Sequence, residues 1–421
     1  MSGYRTLYRH SEHVYDGDEN LFPLFASAFS PCAQTNLKER GANAAAPLRL
    51  LTSSADGIIR AYQISDKTIE SNVLDASALT VTLEQVLIPT SDSTYPKTTQ
   101  EAKISLGCAC FSVIRNYVGE DTAAGGEIVA ALRLDGHLSI WRREEQPLYP
   151  SHEKTKSLEE EMVNVSKPII EMDVEDALGT TLVLIRPTTS GYSRHGIVAC
   201  LGCLDGSIKL IATGVGIPDP KKCNDDSKCT DAGIVLDRIG SGSSIALSIA
   251  LHPTHHLTFA VGRKNGIIDI YSSGNTGNDD VYGQFQRMHT LTNHAGVPVR
   301  SLCFTPDGCL LISGCDEGHI YIHDVSSFEK NQTILLVATI LSAHNSYILS
   351  ISPLPDSKRF LTCSADKTIK VWDVSTPNNG PVHTFTGHEK IVWNIASCLD
   401  GKRAASVGDD GLLQVYSIAE S

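Results

Sequence analysis

The stretch CSADKTIKVWDV, Cys363 to Val374, contains the one Trp-Asp pair of the chain. With Asp366 as an anchor, it places apolar residues three and five positions on and an aromatic or apolar residue at the sixth. Searching with that template, rather than with the dipeptide, returns seven copies. They are ADGIIRAY around Asp56, LDGHLSIW around Asp135, LDGSIKLI around Asp205, KNGIIDIY around Asn265, DEGHIYIH around Glu317, ADKTIKVW around Asp366 and DDGLLQVY around Asp410. The anchors lie 79, 70, 60, 52, 49 and 44 residues apart. They close toward the ~40–45-residue period of a four-stranded unit.

Each copy reads as strand, turn, strand. Apolar runs such as LRLLTSS, IVAALRL, LTFAVGR and KRFLTCS precede the anchors, and alternating runs follow. Asp-Gly or Asn-Gly between two such runs is a strong hairpin signal, because the turn needs a positive φ that Gly adopts freely. A further strand lies upstream of the hairpins (IALSIALHP, VRSLCFTPDG, YILSISPLPD, VWNIASCLDG), and a variable outer segment follows. Four antiparallel strands in each of seven units, without helical periodicity, predict an all-β seven-bladed β-propeller forming a single domain over residues 1–421. The last unit runs out of chain after three strands, while YRTLYR, Tyr4 to Arg9, is a strand without a unit. The N-terminal strand is therefore expected to complete the seventh blade and latch the ring.

Four residues before the anchor stands a hydroxyl in four copies (Thr52, Ser313, Thr362, Ser406), and three later copies have a His upstream (His294, His344, His388). His344, Thr362, Asp366 and Trp372 form a complete set in which imidazole, hydroxyl, carboxylate and indole N–H satisfy one another. This set resembles the structural tetrad of WD40-repeat propellers rather than a catalytic triad, because it recurs with the blade and lacks an oxyanion loop. Ala131, Leu201 and Val261 replace the hydroxyl in blades two to four, which are expected to rely on packing alone.

The run from Ser244 to Ile418 is also similar to WD-repeat subunits of the superkiller (Ski) type, through LSIALHP with NGIIDIY, PVRSLCFTPDG, ADKTIKVWDV, HTFTGH and SVGDDG. The resemblance implies a non-catalytic adaptor in exosome-mediated cytoplasmic mRNA decay. Its partners would be a tetratricopeptide-repeat scaffold subunit and an RNA helicase, and animal relatives of this type also join the polymerase-associated factor complex. The chain would then be a monomeric propeller within a hetero-oligomer.

Residues entering the inner strands on the tetrad side, Leu247, Arg300, Leu349 and Trp393, with Tyr347 beside them, are expected to ring the channel mouth as a partner-binding rim. Packing between blades suits Leu247 and Leu349 better, and docking suits Arg300 and Trp393. Asp316 and Asp409, each preceding an anchor, read as solvated turn acids, with acceptors for a basic partner group as the alternative.

A formal net charge of −13 argues against nucleic acid as a direct ligand. The opening residues form no signal peptide, and the longest apolar stretch, Ile245 to Leu251, is too short to span a bilayer, so no membrane association is expected. Scattered Cys in strand-like runs suit a reducing compartment, cytoplasmic or nuclear. Cys200, Cys203, Cys223 and Cys229 invite a zinc reading, but the first two share a strand whose alternate residues face opposite ways, so no metal is expected. HPTHH, His252 to His256, reads as a surface turn. No phosphate loop, GxSxG elbow or HExxH is present, and neither a catalytic residue nor a cofactor is expected. Insertions near 31–47, 91–103, 142–168 and 214–242 read as surface loops, and those at Pro31 to Pro47 and Arg115 to Gly126 should crowd the face opposite the tetrads. Two other classes stay open. One is a substrate receptor of a ubiquitin ligase or a histone-tail reader, and the other is a propeller hydrolase with metal-binding residues in its channel.

Overall fold

A computed structural model describes residues 4–10, 24–29, 48–55, 57–66, 79–88, 108–115, 126–143, 164–185, 197–214, 233–240, 242–255, 257–273, 285–328 and 333–418. In it the seven template copies are hairpins at the centres of seven sheets. The residue after each anchor has positive φ: Gly57, Gly136, Gly206, Gly266, Gly318 and Gly411 lie between 67° and 86°, and Lys367 stands at 72°. The turn conformation is thus the invariant feature, and blade six holds it with a lysine.

Blade one is built from β2 (Leu24–Phe29), β3 (Leu48–Ser54), β4 (Ile59–Asp66) and β5 (Leu79–Leu87). Blade two has β6 (Cys108–Arg115), β7 (Glu127–Arg133), β8 (His137–Arg143) and, outermost, β10 (Ile170–Asp173), which β9 (Asn164–Ser166) precedes in the chain. Blade three has β11 (Ala177–Ile185), β12 (Val198–Cys203), β13 (Ile208–Ala212) and β14 (Val235–Ile239). Blade four has β15 (Ala246–Leu251), β16 (Thr258–Arg263), β17 (Ile268–Ser273) and β18 (Phe285–Leu291). Blade five has β19 (Val299–Phe304), β20 (Leu310–Cys315), β21 (Ile320–Asp324) and β22 (Leu335–Ile340). Blade six has β23 (Ile348–Pro353), β24 (Arg359–Ser364), β25 (Ile369–Asp373) and β26 (His383–Phe385). In blade seven, β27 (Val392–Ser397), β28 (Arg403–Gly408) and β29 (Leu413–Ser417) are completed by β1 (Arg5–His10), which pairs antiparallel with β29. The expected latch is present. Tyr4, just ahead of it, stacks on His383 at 5.0 Å and accepts a hydrogen bond from Arg359 Nη1 at 3.2 Å, fastening the latch to blade six.

Seven apolar clusters fill the seven gaps between neighbouring blades, because alternate residues of each strand face opposite neighbours. The cluster of Leu24, Leu50 and Tyr62 with Ala405, Val407 and Val415 joins blade one to blade seven, which closes the ring. Hydroxyls on the inner strands add a polar girdle: Ser248 Oγ donates to Val299 O, and Ser301 Oγ to Ile348 O, each on the next blade. Asn394 Oδ1 accepts from Ser27 Oγ across the closing interface. The inner strand of the next blade passes so near Gly314 that a Cβ there would lie 2.6 Å from Ile348 Cγ2.

Two expectations about loops are corrected. Val235–Ile239, within the 214–242 tract, is the outer strand of blade three, and Asn164–Ser166, within 142–168, adds a fifth strand, parallel to β5 on blade one. Both segments are only five and three residues long, so periodicity did not reveal them. The insertions at 31–47, 91–103 and 116–125 lie outside the described residues.

Candidate functional site

The tetrad of blade six assembles as a closed network. His344 Nδ1 meets Asp366 Oδ2 at 2.9 Å, its Nε2 meets Thr362 Oγ1 at 2.7 Å, and Trp372 Nε1 donates to the same hydroxyl at 2.9 Å. Burial works against the Asp366 charge, but hydrogen bonds from His344, Thr368 and the Asn345 amide outweigh it and hold the carboxyl well below the usual carboxylate range. Burial also lowers the His344 pKa against the pull of Asp366, so the imidazole is neutral. It then donates from Nδ1 to the carboxylate and accepts the Thr362 proton at Nε2.

Blade seven repeats the arrangement with a tyrosine. His388 joins Asp410 (2.9 Å) to Ser406 (2.7 Å), and Tyr416 OH lies 2.8 Å from Ser406 Oγ in the place of the indole. The signal was present in DDGLLQVY, where Tyr416 stands six residues after the anchor. Blade five is partial. His294 Nε2 reaches Ser313 at 2.9 Å, but Glu317, one methylene longer than Asp, is exposed, and His294 Nδ1 has no partner among the described residues. In blade one, Thr52 Oγ1 also lacks one among them, and Asp56 is outside them.

The expectation that blades two to four rest on packing alone is corrected for all three: in blade two, Arg143 and Glu127 form a buried ion pair at 2.8 Å. In blade four, Arg263 and Asp269 form a buried ion pair (2.6 Å), extended by Tyr271 OH (2.9 Å) and Thr290 (2.9 Å). Arg263 also donates to the carbonyls of Gly206 and Ser244, which ties blade four to the blade-three turn. In blade three, Asp205 takes bonds from Ser207 and Arg238 instead of a histidine. Ionic latches here take the place of the hydroxyl-histidine pair.

The rim residues share one backbone feature. In β15, β19, β23 and β27 the pairing register shifts at Leu247, Arg300, Leu349 and Trp393, and β2 shifts likewise at Phe25. A bulge one residue into the inner strand takes that side chain out of the strand's regular alternation. All five are half-buried. Arg300 is chelated by both carboxylate oxygens of Asp316, and its guanidinium carbon lies 5.3 Å from the ring centre of Tyr347, which is 47% exposed. Trp393 donates its indole N–H to Asp409 and meets the Phe25 ring edge-on at 5.9 Å. Asp316 and Asp409 are therefore engaged within the chain, rather than being the solvated turn acids the sequence suggested. Leu134 and Leu204, which directly precede the anchors of blades two and three, add exposed apolar area. Phe25, Leu134 and Leu204 were not singled out by sequence, although LFASAF and VWNIAS align at Phe25 and Trp393.

His252 does not lie on the surface. It is buried against Phe304 and Phe328, accepts at Nδ1 from the His255 amide (3.1 Å), and faces Gly308 O of blade five at 3.1 Å. Cys200 packs in the core shared by blades three and four, and Cys203 in that of blades two and three, on opposite sheet faces. Burial raises both thiol pKa values. Cys223 and Cys229 lie outside the described residues. Among the described residues no three His, Cys, Asp or Glu side chains gather as a metal site.

Residues 285–324, 336–373 and 379–417 match the WD40 family (WD domain, G-beta repeat), from the outer strand of blade four through blade seven. The chain therefore carries WD40 repeats on a seven-bladed propeller closed by its N-terminal strand. It is similar to the Non-functional target of rapamycin complex subunit LST8-2 of Arabidopsis thaliana, 34% identical over 113 residues, covering 27% of this chain and 36% of that protein. COMPASS component SWD1 of Saccharomyces cerevisiae is 38% identical over 121 residues, 28% of this chain and 26% of the relative. Polyadenylation factor subunit 2 of Cryptococcus neoformans is 26% identical over 134 residues, 32% and 17% of the two chains. These matches span about a third or less of the relatives' lengths, and each relative is by name a subunit or component of a larger assembly.

Proposed function

We propose that this protein is a non-catalytic scaffold subunit that docks partner proteins on the tetrad-side mouth of its ring. The observation that carries this reading is the repeated bulge presenting Phe25, Arg300 and Trp393 in half-exposed pairs with Asp316, Tyr347 and Asp409. Aromatic and arginine side chains held rigidly by neighbours lose little freedom on binding and bury a large area, which is what an interface anchor needs. A propeller whose latches are buried and mutually satisfied has no need of chemistry at those positions.

The assembly we propose is of the superkiller type, resting on the likeness of blades four to seven. This chain would position a tetratricopeptide-repeat subunit and an RNA helicase for exosome-linked mRNA decay in the cytoplasm, with a nuclear role beside a polymerase-associated factor complex. The relatives that are subunits of other assemblies support the scaffold class.

The test is co-purification from the source cell with tagged wild type and with the double variant Trp393→Ala, Arg300→Glu. The tetratricopeptide-repeat subunit and the helicase should accompany the wild type and be lost from the variant. Retention of every partner by the variant would refute the docking face. Partners drawn wholly from another assembly would refute the superkiller assignment while leaving the scaffold reading in place.

A further inference from the structure

The outermost strand of each blade has an unpaired edge, and propellers protect such edges with charge, brevity or cover. Here β1 carries Arg5 and Arg9, β10 carries Glu171 and Asp173, β14 carries Asp237 and Arg238, and β18 carries Arg287. β26 is only three residues long. β5 carries Glu84 and is covered by β9, through Gln85↔Asn164, Val86↔Val165 and Leu87↔Ser166. Among the described residues β22, the outer strand of blade five, has neither charge nor brevity, and no strand pairs with its outer side; the short turn Pro377–Asn379 of blade six lies near it. The strand reads LLVATI, six residues without charge or proline, and Leu335, Leu336 and Val337 are 61%, 41% and 54% exposed. It lies within Asn331 to Pro355, 25 residues with no Asp, Glu, Lys or Arg in a chain that is 20% charged.

We propose that β22 is a second docking site, which receives an extended, uncharged segment of another polypeptide as a fifth strand of blade five. Blade one shows within this molecule that an outer edge accepts such a strand. The area favours a peptide over a second copy of the chain. The three exposed side chains offer roughly 300 Å² of apolar surface, against roughly 800 Å² per partner in a stable interface. Strand addition takes its affinity from main-chain hydrogen bonds and needs only a narrow edge, with alternate side chains reading the apolar surface. A charged segment would leave its charges against Leu335, Leu336 and Val337 without counter-ions, because the strand supplies none.

The site is tested on the full chain with a fluorescent peptide of alternating valine and threonine carrying a lysine tail, read by anisotropy. The wild type should bind it saturably. A peptide N-methylated at alternate residues should bind about tenfold more weakly or worse, the equivalent of losing about 1.4 kcal/mol. The double variant Leu336→Lys, Val337→Lys should lose binding to a similar degree while keeping its thermal midpoint, since both side chains are exposed. The rim variant Trp393→Ala, Arg300→Glu should bind like the wild type, which separates this site from the proposed mouth. No binding by the wild type, equal binding of the N-methylated peptide, or equal binding by the lysine variant would overturn the proposal. A dimer in sedimentation that the lysine variant abolishes would overturn it in favour of self-association.

Discussion

Replacing Thr362 by valine keeps the shape of a side chain that is fully buried and removes one oxygen. That oxygen accepts the indole N–H of Trp372 and bonds the Nε2 of His344, and both of those residues are 2% exposed. No water reaches them, so the substitution strands two polar groups without opening a cavity. Each stranded group costs about 1–3 kcal/mol. The loss is therefore about 2–6 kcal/mol, a large fraction of the ~5–15 kcal/mol that holds a typical domain. Thr52→Val is the internal control. It makes the same chemical change at the equivalent position of blade one, where the hydroxyl has no partner among the described residues. It should leave stability unchanged or raise it by up to about 1 kcal/mol. Urea midpoints followed by far-UV circular dichroism compare the two. Adding Trp372→Phe to Thr362→Val removes one stranded donor and should recover part of the loss. Equal costs for the two threonine substitutions, or a cost for Thr362→Val below about 1 kcal/mol, would refute the network as a source of stability.

Gly314→Ala should cost about 1–3 kcal/mol in the same assay, because its Cβ would sit 2.6 Å from Ile348 Cγ2 and 2.7 Å from Ser301 Oγ on the strand that closes the blade interface. Lys367→Gly should change stability by no more than about 0.5 kcal/mol, as relief of the left-handed φ offsets the greater freedom of the unfolded chain. Gly318→Ala at the equivalent turn should be the more damaging change, since its Cβ would lie 2.2 Å from His344 O. Burial, with His323 and His319 nearby, lowers the His294 pKa to about 3. The unfolded chain thus binds the extra proton below about pH 6.5. Stability is full above that value and falls by up to about 1.4 kcal/mol per unit as pH drops toward 3. His294→Gln should flatten that slope in urea titrations repeated across pH 4–7, and an unchanged slope would acquit His294. Asp366 and Asp410, both held below the carboxylate range, add a loss that begins only below about pH 4.

The seven sheets were legible because the hairpin turn is a local requirement. A positive φ followed by alternating apolar residues leaves a mark that padding of any length between blades cannot erase. The latch was legible by subtraction, since the last blade lacked a strand and Tyr4 to Arg9 lacked a blade. What sequence missed is what depends on distant strands. Arg263 and Asp269 are six residues apart in KNGIIDIY and its flank, but their value as a latch comes from burial and from carbonyls of Gly206 and Ser244 in another segment. His252 looked like part of a polar turn because nothing local announced Gly308, 56 residues on, as its partner. At the rim, Trp393 and Arg300 stood out by residue type, while Phe25 and the in-chain engagement of Asp316 and Asp409 needed the bulge and the neighbouring blade.

The two halves of the ring solve the same mechanical problem with different chemistry, and this affects where partners can act. Blades six and seven tie their turns to their cores through imidazole and hydroxyl. Blade four uses an ion pair, and the first two blades are joined by Arg143, which bonds Glu127 in its own blade at 2.8 Å and Glu84 in blade one at 3.2 Å. A buried pair of this kind is costly to break from one side and adds little if both partners are replaced by apolar groups of similar size. These latches therefore fix register rather than add stability, and salt screens buried pairs less than exposed ones. Blades five to seven are also where the family match, the rim pairs and the uncharged β22 coincide. The mouth and the outer edge of blade five are separated by the full depth of one sheet, from β19 to β22. A partner held at the mouth and a strand held at the edge would not compete for surface, which is the geometry expected of a subunit that holds two others together.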